Sequence, residues 1–158
     1  GFENVLTAEV FQALDFLPRT SFLGPVIAGS SGAGRARARL VSEVEEARFT
    51  LLPGNQPLIP SAKSHQRRMP VQPDGFIESP DTFVVLEAKR IRPSSFQPQQ
   101  LTREFVLALR DAGNRLPLLL LVLGSEPPVH VTGHGSQSIS GAIALHLDTV
   151  LKLSLIHI

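Results

Sequence analysis

No cysteine occurs anywhere in the sequence, so a disulfide framework and a thiolate metal site are both excluded, which suits a reducing cytoplasm. Long apolar runs are missing as well. The longest, Leu116 to Leu123, is interrupted by Pro117 and falls far short of the roughly 20 residues that a membrane-spanning helix needs. The opening residues carry no basic-then-apolar pattern of a signal peptide, so a cytoplasmic protein with no membrane partner is the expectation. An excess of charge is also lacking. The formal net charge is +1, which neither demands nor excludes a nucleic-acid partner. The distribution must decide instead, and basic residues gather at Arg35, Arg37 and Arg39, from Lys63 to Arg68, and in Lys89-Arg90-Ile91-Arg92.

What is present is enough for one core. A chain of 158 residues that is 42% hydrophobic can bury one core and is too short for two comfortable domains. The closing hexapeptide Leu153-Ser-Leu-Ile-His-Ile158 resembles the translation of a sequencing-adapter end. The expectation is therefore a single domain over residues 1–152, truncated at its C-terminus and followed by a non-native tail at 153–158.

Periodicity predicts the elements. Apolar residues from Val5 to Leu17 recur at the spacing of an amphipathic helix over Phe2 to Phe16, ended by Pro18. Gly24 to Gly34 reads as a glycine- and serine-rich loop, and Arg35 to Phe49 as helix-forming. Prolines 53, 57, 60, 70 and 73 mark a connector without regular structure. Gly75 to Glu78, a Ser79-Pro80-Asp81 turn and Thr82 to Lys89 read as a hairpin. Phe96 to Ala112 reads as a helix stopped by Gly113, Leu118 to Leu123 as a buried strand, Val129 to Val131 as a short strand, and Ile139 to Leu151 as a last helix. This order gives an α/β fold around a sheet.

One constellation carries chemistry. Alternation along Glu87-Ala88-Lys89 puts the Glu87 and Lys89 side chains on one strand face. Asp74 opens the neighbouring hairpin arm, and hairpin partners lie within about 5 Å across the ladder. Two carboxylates and a lysine can therefore face a single metal-sized space. The plain alternatives are an exposed strand-face ion pair and an ordinary Pro-Asp-Gly turn.

Pro73-Asp74, then Glu87-Ala88-Lys89 thirteen positions on at the end of an apolar strand, resembles the motif of the PD-(D/E)xK nuclease superfamily. The likeness extends to the following helix, with Gln100-Leu-Thr-Arg-Glu104, and to an opening helix that starts Glu3-Asn-Val-Leu-Thr7. It implies a restriction endonuclease-like core with a central mixed sheet flanked by helices. It further implies Mg²⁺, or Mn²⁺ in its place, held by Asp74, Glu87 and the Ala88 backbone carbonyl. Glu3 would complete the metal site, preferred over Glu9 because Asn4 and Thr7 adjoin it. Lys89 would position or activate the attacking water, and Gln100 would support the site. The strand that usually precedes the Asp-bearing arm is not evident from the sequence.

The activity so implied is hydrolysis of DNA, ahead of RNA, by metal-activated water. Arg90 and Arg92, directly after Lys89, and Arg103 on the next helix are the residues expected to meet nucleic acid. Nucleases of this kind often act on duplexes in pairs, so a homodimer is compatible. The rival from another class is a non-catalytic nucleic-acid- or protein-binding module on the same fold. The spacing Gly29-Ser-Ser-Gly-Ala-Gly34-Arg35-Ala36 looks like a phosphate-cradling loop, but Arg35 and Ala36 stand where lysine and a hydroxyl residue are needed, so a plain loop is expected. His130 and His134 lie in a glycine-rich stretch and are read as surface or packing residues.

Overall fold

The computed structural model describes residues 2–59, 68–89 and 97–123, with residues 2, 3, 4, 6, 89, 98 and 123 described in their backbone alone. Helix α1 runs Phe2–Phe16, α2 Leu23–Gly29 and α3 Gly34–Ser42, followed by a single 3₁₀ turn at Val44–Glu46. Strand β1 is Arg48–Leu51, β2 Gly75–Glu78 and β3 Thr82–Lys89, after which α4 at Pro98–Ala112 leads to β4 at Leu116–Leu123. The sheet has the order β1-β2-β3-β4, with β1–β2 and β2–β3 antiparallel and β3–β4 parallel. The protein is thus an α/β fold with a four-stranded mixed open sheet.

The expected hairpin of β2 and β3 is present, in the register Gly75↔Leu86 to Glu78↔Phe83. Its turn is fixed by a carboxylate from another element. Buried Glu43, just after α3, accepts the Ser79 hydroxyl at 2.7 Å and the Asp81 backbone N–H at 3.0 Å. Parallel strands cannot be joined by a tight turn, and the helix between β3 and β4 supplies the crossover. That helix begins at Pro98, where a missing N–H costs nothing, and stops at Gly113, whose φ of +61° a side chain would resist.

Alternation sorts the side chains onto two faces. Phe83 and Val85 point to α4 and pack with Val106, Leu107, Ala108 and Ala112, together with Leu58 and Val71 from the connector. Val84 and Ile77 point the other way, against Leu23, Ile27, Leu40 and Val44. Phe11 of α1 meets Phe49 of β1 at 6.0 Å between ring centres, so α1 joins the second layer. Burial on both faces is why β3 reads as a continuous apolar run rather than an alternating one.

Three expectations need correction. Leu23–Gly29 is a helix, not a loop: Pro25 is its third residue, where the absent N–H is one the first turn leaves unbonded in any case. The helix-forming stretch ends at Ser42, and Phe49 lies in strand β1, whose four residues are too few to show a period. The connector is partly paired, because Leu58 and Met69 exchange backbone hydrogen bonds at 2.9 Å and Gln56 N–H donates to Val71 O at 2.7 Å. The expected short strand at 129–131, the last helix at 139–151 and the tail at 153–158 lie outside the described residues. Among the described residues no helix is long and apolar enough to cross a membrane.

Candidate functional site

The site forms where β2 ends early and β3 continues. Extending the β2–β3 register by one position sets Asp74 opposite Glu87, on the same face as the Phe76–Val85 pair and therefore toward α4. Asp74 donates its backbone N–H to Leu86 O at 3.1 Å, while its carboxylate takes over the ladder and accepts the Ala88 N–H on Oδ2 at 2.8 Å. Backbone N–H and C=O groups of one strand residue point to the same side, so the Ala88 carbonyl also faces the Asp74 edge. Ala88 itself is half-buried on the opposite sheet face.

Both carboxylates are withdrawn from solvent, Asp74 to 7% exposure and Glu87 to 3%. Two ionised carboxylates at a ladder spacing of roughly 5 Å would repel by about 3 kcal/mol even at an effective dielectric of about 20, and a cation between them would reverse the sign of that term. An amide helps to fix Glu87: Gln100 Nε2, on the first turns of α4, donates to Glu87 Oε1 at 3.2 Å and to Glu104 Oε1 at 2.9 Å. Asp74, Glu87, Gln100 and Arg103, together with Pro70, Val71 and Gln72, line one cleft of about 330 Å³. Arg103 brings the positive charge, and its Nε has no hydrogen-bond partner among the described residues.

The structure therefore brings together Asp74, Glu87, the Ala88 backbone, Gln100 and Arg103. Lys89 ends β3 two positions after Glu87, and its side chain lies outside the described residues, as do Arg90 and Arg92 altogether. Glu9 is exposed, whereas Thr7 and Phe11 form the buried stripe of α1. Glu3 lies one turn before Thr7 in α1, and its side chain is outside the described residues. Among the described residues no three His, Cys, Asp or Glu side chains converge to hold a metal. The donor set remains compatible with Mg²⁺, a hard ion that takes oxygen ligands, often only one or two carboxylates, and keeps several waters.

Glu104 was given no role from the sequence, yet it is fully buried beside Gln100. The signal was present: Leu101, Glu104, Ala108 and Ala112 form one helical stripe, buried throughout, in which Glu104 is the lone charge. The glycine-rich segment 29–34 links two helices and follows no strand, so the strand–loop–helix context of a phosphate loop is missing. Comparison with known proteins gives no match: no family model, no curated sequence and no solved structure aligns with the chain.

Proposed function

We propose that the chain is a metal-dependent nuclease of the PD-(D/E)xK, restriction endonuclease-like type, hydrolysing phosphodiester bonds of DNA or RNA. The observation that carries this reading is the approach of buried Asp74, one residue before β2, to buried Glu87 of β3, at the cleft that Gln100 and Arg103 also line. The element order supports it. Strand β1 supplies the sheet neighbour to the Asp-bearing arm that the sequence left hidden, and the parallel β3–β4 pair with α4 between them completes a mixed sheet.

Asp74, Glu87 and the Ala88 carbonyl would hold Mg²⁺ or Mn²⁺, with waters in the remaining positions. When bound, the ion polarises the phosphate and lowers the pKa of a water. The chain's own residues do the rest. The Ala88 N–H fixes one oxygen of Asp74, and Gln100 fixes one oxygen of Glu87, so the two carboxylates are held in place before substrate arrives. Arg103 presents a guanidinium whose geometry matches a phosphate. Lys89 is assigned to the attacking water. Arg90 and Arg92 are assigned to the flanking phosphates.

The reading predicts that Asp74→Ala or Glu87→Ala lowers Mg²⁺-dependent cleavage by on the order of 10²–10³-fold or more, with the circular dichroism spectrum unchanged. Full activity in either variant contradicts it. A wild type that binds nucleic acid but never cleaves it in Mg²⁺ or Mn²⁺ is a non-catalytic binding module instead.

A further inference from the structure

We propose that Glu104 is a positioning residue: with Glu87 it pins the side-chain amide of Gln100, so that Gln100 Oε1 is presented to the cleft as the acceptor that orients a water. The identity of that water as the attacking one rests on the nuclease reading, whereas the pinning does not.

A glutamine amide has two N–H protons. Gln100 Nε2 lies within hydrogen-bond distance of two carboxylate oxygens, Glu87 Oε1 and Glu104 Oε1. An ionised carboxylate only accepts, so the reversed amide would set an oxygen against two acceptors. With both carboxylates ionised, the amide faces them through its nitrogen, as the structure places it. Both anchors sit on rigid elements, Glu87 in β3 and Glu104 one turn further along α4. With the nitrogen committed to them, the planar group turns its Oε1 away from both, and Gln100 is a half-buried wall of the cleft beside Asp74 and Arg103.

The placement of Glu104 is itself informative. Its neighbours along the stripe, Leu101 and Ala108, are apolar and buried. An apolar side chain would fill the position without the desolvation that a carboxylate suffers. A carboxylate there gives the Gln100 amide a second acceptor. A water accepted by Oε1 has one proton and one direction fixed, and a lone pair is left to point at a phosphate between the metal ligands and Arg103.

The test uses the ¹⁵N-labelled full chain. Exchange of the Gln100 side-chain amide protons is followed by NMR in wild type and Glu104→Gln, with exposed Gln12 as internal reference. Cleavage is measured in wild type, Glu104→Gln, Gln100→Ala and the double variant. The expected result is Gln100 protons at least roughly tenfold slower than those of Gln12 in wild type, with protection lost in Glu104→Gln. Cleavage in Glu104→Gln falls roughly 10–100-fold in kcat with KM unchanged, and the loss is absent when Gln100 is already alanine. Unprotected Gln100 protons in wild type would overturn the proposal, and so would losses in the two single variants that simply multiply. Should Glu104→Gln fail to fold, wild-type exchange and Gln100→Ala, at a half-exposed position, still decide it. A protected Gln100 in a wild type that does not cleave would remove the nuclease reading and leave the pinning standing.

Discussion

Thr20 and Glu45 show how one residue can set the behaviour of another on the surface. The Thr20 hydroxyl and, at 2.8 Å, its backbone N–H both donate to Glu45 Oε1. These bonds favour the charged carboxylate, the hydroxyl most, then the N–H, and hold its pKa below the ordinary value of 4.5. A carboxylate whose folded pKa is depressed adds stability that is fully present above its unfolded pKa and is lost as pH falls through the folded one. The contribution of Glu45 is therefore present above about pH 4.5 and fades in more acid solution. Thr20→Val should move the Glu45 pKa back up toward its ordinary value, as read by NMR titration, and an unmoved pKa would contradict this account. At the same scale, the approach of Asp74 to Glu87 and Ala88 was legible in the sequence because a strand's two-residue period and a turn place them with little tertiary help, whereas Gln100 and Arg103, on α4, were singled out only through the resemblance. Glu104 was not, since only the packed stripe of α4 shows that its carboxylate is buried rather than solvated.

Strand β2 makes the corresponding case at the scale of an element. A Cβ on Gly75 would lie 3.0 Å from Thr50 O, 3.2 Å from Leu51 Cδ2 and 3.4 Å from Leu86 Cδ2. The first of these is backbone of β1 and cannot swing aside, so the glycine lets two strands close up immediately next to Asp74. Gly75→Ala should destabilise the fold by about 1–3 kcal/mol, seen as a lower urea midpoint at an unchanged slope; an equal or higher midpoint would show that the strands yield. Elements with long, regular patterns were legible: α1, the β2–β3 hairpin, α4 and β4. Helix α2 was hidden behind Gly24, Pro25 and Gly29, which signal a loop by composition but sit in a helix whose first turn tolerates proline. Strand β1 was hidden because four residues on a sheet edge, alternately exposed and half-buried, carry too little pattern to be seen without β2 beside them.

For the whole molecule, the two helical layers cover both faces of the sheet and leave the cleft at the point where β2 gives out beside α4. The mixed α/β architecture was legible from the order of elements. The pairing of Leu58 with Met69 was not, because it depends on contacts between segments that carry no periodic signal. The proposed nuclease reading requires the two buried carboxylates, Asp74 and Glu87, to bind a divalent cation. Calorimetric titration of the full chain with Mg²⁺, alongside the Asp74→Ala/Glu87→Ala double variant, tests it most directly. Saturable binding to the wild type that vanishes in a folded double variant is the predicted result; no binding to folded wild type, or equal binding to both proteins, would contradict it.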